Sequence, residues 1–329
     1  MNSEKQNVVA SLEQFVQTKL SLLGPVDKVW QPSDFLPDLS RDDWLRDVNQ
    51  LRTAAKGLSD ELLVVLVGSM VTEEALPSYQ TFLNRFDGVR DETGASPNPW
   101  ALWSRGWTAE ENRHGDLLNR YMYLSGRVDM RAVEVTIQHL IRNGFNPGTC
   151  NDPYNGLIYT SFQERATRIS HTRVGQFAKQ AGDAALGKMC NVIAGDEARH
   201  EEAYKCFMKH VFEADPSGAM LSFDEMLRQR IVMPASLMSD GSEQDIFATF
   251  STVAQRIGVY TFLDYVDILD HLIATWNITD LKGLSGDAAQ AQDRICALPQ
   301  RYRKTMDRID KKLRAQPKVP FRWIYGRTV

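Results

Sequence analysis

The sequence predicts an all-α protein organised round a four-helix bundle, and three observations lead there. Apolar residues recur with helical periodicity along most of the 329 residues, while the alternation of half-buried strands is scarce. The run Leu62 to Glu74 is apolar on nearly every side until its last turn, the pattern of a helix sunk in a core. Two segments, Glu110-Glu111-Asn112-Arg113-His114 and Asp196-Glu197-Ala198-Arg199-His200, each set a Glu-x-x-His pair into an apolar stripe of helical spacing.

Turn-forming residues divide the chain into these helices. They gather at Gln31-Pro32-Ser33-Asp34, from Asp87 to Pro99, from Asn143 to Pro153, around Pro216-Ser217-Gly218 and roughly over 235–245. No linker stands out, so a single domain over 1–329 is expected, with a core bundle roughly over 40–235 and a helical appendage roughly over 245–329.

Bulk composition narrows the function. Hydrophobic residues make up 43%, enough for a sizeable core, and the net charge of −4 is too mild to suggest a nucleic-acid partner. The four cysteines, Cys150, Cys190, Cys206 and Cys296, form no Cys-x-x-Cys pair, which excludes a thiolate metal site and a redox dithiol and fits a reducing compartment. The strongest apolar run, Leu62 to Val67, is too short to span a bilayer. Met1-Asn2-Ser3-Glu4-Lys5 resembles neither a secretory signal nor a transit peptide. A soluble protein of the bacterial cytoplasm is expected, a mature form in the plastid stroma being the alternative.

On a helix, Glu111 and His114 stand one turn apart on one face, as do Glu197 and His200, so each pair can close on one metal ion. The first stripe also carries Trp100, Trp107, Leu118 and Met122, and the second Leu186, Cys190, Ile193 and Tyr204. A carboxylate without a partner is costly among such neighbours. A carboxylate-bridged pair of metal ions inside a four-helix bundle needs one more Glu from each of two further helices. One is Glu73 or Glu74, between which spacing does not choose, and the other is Glu164. Four carboxylates balance two divalent ions, and hard oxygen ligands mixed with imidazole suit iron or manganese. The competing reading is a set of buried ion pairs with Arg113, Arg165 and Arg199, which does not require the paired histidines.

The chain resembles the soluble acyl-[acyl carrier protein] desaturases, the stearoyl-carrier-protein type, over nearly its whole length. The matching stretches are Trp30 to Pro37, Thr72 to Pro77, Glu110 to Asp116, Tyr123 to Met130, Tyr159 to Thr167 and Asp196 to His200. The resemblance implies a ferritin-like bundle with additional helices, a homodimer and an O2-dependent enzyme. That enzyme would place a cis double bond in a saturated acyl chain carried on acyl carrier protein, using two iron ions and electrons from ferredoxin. The resemblance also selects Glu73, for a ligand set of Glu73, Glu111, His114, Glu164, Glu197 and His200 with Glu111 and Glu197 as bridges. It implies that Thr167 lies beside the oxygen-binding face, and that Trp30 and Asp196 link the surface to the metal through His114. A carboxylate on the outer nitrogen of a ligand histidine is expected, since it fixes the tautomer. Core packing for Trp30 and back-bonding to a helix carbonyl for Thr167 are the competing readings.

No G-x-G-x-x-G fingerprint or cysteine cluster is present, so the electron donor is external. The basic run Arg301, Arg303, Lys304, Arg308, Lys311, Lys312 and Arg314 could attract an acidic carrier protein, or could be a solvated helix face. Phe82, Arg85 and Phe86 fall where the stearoyl-type relatives line the methyl end of the substrate cavity with smaller or neutral side chains. Their bulk and charge favour a chain of about sixteen carbons or shorter. Pro147, Gly156 and Leu157 lie in other cavity stretches and do not decide the length. Two rivals remain. A radical-generating or hydroxylating di-iron protein would place a tyrosine one turn past a ligand histidine, where Leu118 and Tyr204 stand. A ferritin-like iron-binding protein would have a much shorter chain.

Overall fold

Helix caps set the frame of the molecule. The computed structural model describes residues 2–329 except 243, 307, 310–312, 314 and 315. Its helices are α1 (Asn2–Ser11), α2 (Glu13–Lys19), α3 (Trp44–Ala55), α4 (Asp60–Glu74), α5 (Leu76–Leu83), α6 (Pro99–Ser125) and α7 (Met130–Asn143). They continue with α8 (Pro153–Gln180), α9 (Ala184–Ala214), α10 (Pro216–Gln229), α11 (Ile246–Ile257), α12 (Phe262–Thr275) and α13 (Gly286–Arg303). The bundle consists of α4, α6, α8 and α9. Ser59, Asn98, Asp152 and Asp183 cap their first turns by accepting backbone N–H groups. The turn clusters read from Asp87 to Pro99 and from Asn143 to Pro153 supply two of these caps, with proline at the first helical position.

Three residues join α8 to α9, so the pair runs antiparallel. Their backbones cross closely at Gly175 and Gly187, where a β-carbon on Gly187 would lie 3.1 Å from the Gly175 carbonyl oxygen and 2.5 Å from Lys179 Cγ. Two apolar cores flank the middle of the bundle. One gathers Leu63, Leu66, Met70, Leu118, Met122, Leu186 and Ile193, the other Trp103, Phe162, Phe207, Phe223, Leu269 and Ile295. Each of α6 and α9 contributes one end to each core, and the Glu-x-x-His pairs fall at the seam between them.

Two expectations need correction. Pro216-Ser217-Gly218 is not a loop but the first turn of α10, because Pro216 takes the first helical position and Asp215 accepts from Gly218 N at 2.8 Å. The last stretch is not helical either. Strands β1 (Pro320–Phe321) and β2 (Arg327–Thr328) form a short antiparallel hairpin. It buries Phe321, Trp323 and Ile324, and Trp323 Nε1 donates to Thr136 Oγ1 of α7 at 2.9 Å. Among the described residues no single helix is long and apolar enough to cross a membrane. The kinked pair α4–α5, bent by 44°, passes by length and composition, but α4 is buried along nearly all of its length among the other bundle helices.

Glu201, 0% exposed, ties α8, α9 and α12 together. Its carboxylate accepts from Arg165 at 2.7 Å and lies 3.1 Å from Arg168, 3.2 Å from Lys205 and 3.3 Å from His271. Burial opposes its charge, but His271, Lys205 and Arg165 outweigh it and hold the carboxyl at about 2. A depressed carboxyl contributes stability above its unfolded value and loses it as pH falls toward the folded value. The contribution, on the order of 3 kcal/mol, is therefore expected to vanish between roughly pH 5 and 2. Urea unfolding of wild type and Glu201→Gln across that range checks this: the variant starts less stable at pH 7 and falls less steeply with acid.

Candidate metal centre

At the seam of the two cores, α4 supplies Glu73, α6 Glu111 and His114, α8 Glu164, and α9 Glu197 and His200. None of the six is more than 7% exposed. Glu73, Glu111, His114 and Glu197 place one ligand atom each within 4.8 Å of one another, and so do Glu111, Glu164, Glu197 and His200. The two groups share Glu111 and Glu197. Glu111 straddles them, with Oε2 at 3.3 Å from His114 Nδ1 and Oε1 at 2.8 Å from His200 Nδ1. The alternatives at the end of α4 separate plainly. Glu73 faces the cluster, whereas Glu74 is only partly buried and accepts from Asn119 Nδ2 of α6 at 2.9 Å.

These residues fit a pair of cations. His114 Nδ1, His200 Nδ1 and Glu111 Oε1 are buried without a hydrogen-bond partner, although carboxylates surround both nitrogens. Their outer nitrogens are fully engaged: His114 Nε2 donates to Asp196 Oδ2 at 3.2 Å and His200 Nε2 to Glu110 Oε2 at 2.9 Å. That leaves each inner nitrogen aimed at the carboxylates. The arginines of the competing ion-pair reading are used elsewhere. Arg113 binds Asp196 at 2.9 Å, Arg199 binds both Glu110 and Asp196, and Arg165 serves Glu201. Among the described residues, no lysine or arginine forms an ion pair with any of the four inner carboxylates. A buried anionic cluster of this kind is stable only with protons or metal ions inside it.

The segment Leu22 to Trp30 closes the outer side. Arg199 donates to the Leu22 carbonyl, Gly24 N donates to Glu110 Oε1 at 2.6 Å, and Arg113 donates to the Trp30 carbonyl at 2.6 Å. Gly24 has no room for a side chain, since a β-carbon there would meet Val29 Cγ1 at 2.0 Å. Trp30 is half-buried, donates from Nε1 to Asp196 Oδ2 at 3.1 Å, and lies parallel to the His114 ring with centroids 6.0 Å apart. Trp30, Asp196 and His114 are thus in direct sequence from the outer face inward.

Thr167 sits one turn beyond Glu164, and its hydroxyl donates to the carbonyls of Gln163 and Glu164 at 3.1 and 3.0 Å. The back-bonding reading therefore describes its hydroxyl proton, while the side chain still lines the space beside the cluster. Glu110 and His171 went unread in the sequence. Glu110 repeats the acid that precedes Glu197. His171 follows Glu164 by seven residues, nearly the same helical face, and its Nε2 lies 2.8 Å from Glu73 Oε1.

A string of cavities passes one side of the cluster. An outer chamber of about 220 Å³ and an inner cavity of about 60 Å³ share Thr72, Glu73 and Thr167 as walls. The inner cavity touches Glu111, Glu164 and Glu197 and reaches Phe82. A terminal space of about 20 Å³, sharing Leu83 with it, is lined by Phe86, Gly156 and Leu157. Arg85 and Pro147 are not among the lining residues. Arg85 instead lays its guanidinium over the rings of Phe82 and Phe86 and donates to Thr149 Oγ1 at 3.0 Å. In the basic run, Arg303 pairs with Asp267 and Asp270, Arg301, Lys304 and Arg308 are exposed, and Lys311, Lys312 and Arg314 lie outside the described residues.

Comparisons with known proteins point to one family. Residues 4–325 match the family model of the fatty acid desaturases. The chain is 54% identical to the chloroplastic acyl-[acyl-carrier-protein] desaturase of Cucumis sativus, covering 100% of this chain and 83% of that one. It is 54% identical to stearoyl-[acyl-carrier-protein] 9-desaturase 1 of Arabidopsis thaliana over 100% of this chain and 84% of that one. The corresponding Ricinus communis 9-desaturase is 53% identical over 100% and 83%. All three relatives are plant proteins named as chloroplastic, which lends no support to the expected bacterial cytoplasm. Among solved structures, DesA2 of Mycobacterium tuberculosis shares the fold at a TM-score of 0.54 and 16% identity, covering 83% of this chain and 96% of that one.

Protonation of the metal-free cluster follows from burial and mutual charge. Burial pushes Glu164 well above the usual carboxyl range and Glu73 up to about 7, against the attraction of His200 for the first and of His171 for the second. Burial opposes charge on His114 and His200 too, but Glu111 with Asp196, and Glu110 with Glu111, outweigh it and hold both imidazoles well above their ordinary value. The same attraction outweighs burial at Glu111 and keeps its carboxyl low. The metal-free cluster thus retains protons at neutral pH that a metal ion must displace. Loading with divalent metal is expected to release protons and to strengthen as pH rises from 6 to 8. Anaerobic metal titration in a weakly buffered indicator solution reads both effects.

Proposed function

Because the chain belongs to the fatty acid desaturase family, we propose that it desaturates acyl chains carried on acyl carrier protein, with two iron ions held by Glu73, Glu111, His114, Glu164, Glu197 and His200. The observation that carries this reading is the cavity string whose wall is the cluster itself. The substrates in the relatives' names, acyl and stearoyl carrier proteins, suit such a space. A bound, reduced iron pair would supply the activation of O2, so that two hydrogens from adjacent methylenes, two external electrons and two protons leave with the oxygen as water. An external donor of the ferredoxin kind is consistent with the absence of any flavin or nicotinamide fingerprint. Trp30 and Asp196 are the proposed way in for its electrons, at the outer nitrogen of His114. The homodimer also remains a proposal that rests on resemblance, and a plastid location is the one that the relatives' names favour.

The chain's own contribution is to hold a hydrocarbon and keep water away from it. Every hydroxyl lining the inner cavity is turned onto a backbone carbonyl: Thr72 to Gly68, Tyr79 to Thr72, Tyr159 to Val232, Thr160 to Gly156, and Thr167 to Gln163 and Glu164. The cavity consequently presents mostly carbon to a ligand, and a methylene chain loses little by entering it. The outer chamber is the wider of the two and carries neutral polar side chains, Ser69, Ser251, Gln255 and Thr261, in its wall. Its width and these groups support a thioester end in the chamber and a methyl end at Phe82 and Phe86. Apolar walls on both sides of the cluster hold the chain in one position along its length, which is what selects the two carbons that react.

The end wall is rigid. Phe86 packs so tightly on Gly156 that a β-carbon there would meet its ring at 2.6 Å, and Arg85 covers both phenyl rings. A chain of about sixteen carbons or shorter is the proposed length.

Two experiments test this reading. Reduced, iron-loaded protein is assayed with ferredoxin and a panel of acyl carrier proteins, and products are read by mass spectrometry. Wild type is expected to form a double bond, and Glu197→Gln to lose iron and at least about a hundredfold of turnover; wild-type activity in that variant would sink the assignment. In the same panel, Phe86→Leu is expected to raise the preference for an eighteen-carbon over a sixteen-carbon chain by roughly tenfold or more, the worth of one or two methylenes in an apolar pocket.

A further inference from the structure

The cluster has two nearly equivalent halves, and the groups behind them show where they differ. Each inner histidine has a carboxylate behind it: Asp196 for His114, Glu110 for His200. Each terminal carboxylate has a ring N–H behind it. Trp107 Nε1 donates to Glu164 Oε1 at 3.0 Å, and His171 Nε2 sits 2.8 Å from Glu73 Oε1. Trp107 is a fixed donor, whereas His171 is a third imidazole, 1% exposed, with its Nδ1 left without a hydrogen-bond partner.

Glu73 has particular need of such a donor. It stands in the last turn of α4, where the unpaired carbonyls of the helix end disfavour negative charge. Its neighbour Glu74 meets the same difficulty and is served by Asn119. Glu73 has no comparable amide, and its other oxygen, Oε2, faces inward at 3.9 Å from His114 Nδ1. One oxygen is therefore held from behind while the other is presented to the position that Glu111, His114 and Glu197 surround.

We infer that His171 is the positioning residue for Glu73: its Nε2–H fixes one carboxylate oxygen so that the other is directed to the metal position on the α4 side. This rests on the two-iron reading above. His171 also lines the outer chamber, so metal binding in the absence of substrate is the readout that isolates its action on Glu73. A buried histidine kept only for packing would tolerate an apolar ring of similar size, whereas a positioning donor would tolerate only a side chain that carries an N–H to the same place. Glutamine places its Nε2 near that of histidine, asparagine falls short, and phenylalanine has no donor.

The test is anaerobic Co(II) titration of wild type, His171→Gln, His171→Asn and His171→Phe, with the visible spectrum of the bound ion and the thermal unfolding of each metal-free protein recorded alongside. Two equivalents are expected in wild type. His171→Phe and His171→Asn should weaken one of the two by roughly 10–100-fold and change its spectrum, while His171→Gln stays within about threefold with the wild-type spectrum. If the phenylalanine variant does not fold, the contrast between asparagine and glutamine carries the test. Wild-type affinity and spectrum in both His171→Phe and His171→Asn overturn the inference. Equal loss in all three variants also overturns it, because the imidazole would then be a ligand in its own right. A wild-type protein that binds no metal sinks the two-iron reading first, and this inference with it.

Discussion

The structure depends on one reciprocal exchange between α6 and α9. In each helix an acid precedes the inner Glu and an Arg precedes the inner His, and both outer groups reach across to the other helix. Glu110 holds His200, Asp196 holds His114, Arg113 crosses to Asp196 and Arg199 joins Glu110 to Asp196. The exchange fixes the direction of both imidazoles, because an outer nitrogen committed to a carboxylate leaves only the inner one for the interior. It also concentrates the fixed positive charge on the outside. Burying six charged groups would be costly anywhere else in a helical core. At the seam between two apolar clusters the expense falls in one place, and the cores on either side stay apolar.

The exchange gives the site two unlike faces. The outer face is polar, closed by the segment from Leu22 to Trp30, and its groups lead outward through Trp30 and the partly exposed Arg199. The inner face is where α4 and α8 add Glu73 and Glu164, and there each hydroxyl along the inner cavity is turned into a helix or loop carbonyl. On the proposed reading the two faces divide the traffic. Electrons and protons arrive through hydrogen-bonded groups, and carbon arrives through a lining that offers almost nothing to hydrogen-bond. Separating them matters because an oxidant strong enough to attack a methylene is also quenched by water or by a nearby reducing side chain.

The parts of this arrangement that were legible in the sequence are those repeated at helical spacing. Glu111 with His114, Glu197 with His200, their apolar stripes and the buried α4 all announce themselves by position along one chain segment. Residues whose role depends on a second helix were not legible in the same way. Spacing left Glu73 and Glu74 open because both lie over apolar neighbours, and only the approach of Asn119 to one and His171 to the other separates them. Glu110 was hidden by its ordinary look beside Glu111, although the matching acid before Glu197 was a usable signal. Arg85 reads as a charge among cavity residues, but in space it covers the two phenyl rings from behind. The misread Pro216 turn shows the same limit at short range, since proline ends one helix and begins another with equal ease, and the cap at Asp215 decides between them.

The C-terminal third illustrates why a helical appendage is a poor description of distant sequence. Helices α11 and α12 supply much of the wall of the outer chamber, including Phe247, Phe250, Ser251, Phe262 and Tyr265. The closing hairpin then returns to α7, with Trp323 bonded to Thr136. The six residues of the candidate metal centre all precede residue 201, so a truncated chain would keep every one of them. It would lose the wall that makes a cavity out of one side of the cluster. The residues proposed to hold metal are thus encoded in four helices, while the cavity beside them takes shape only with α11 and α12 in place.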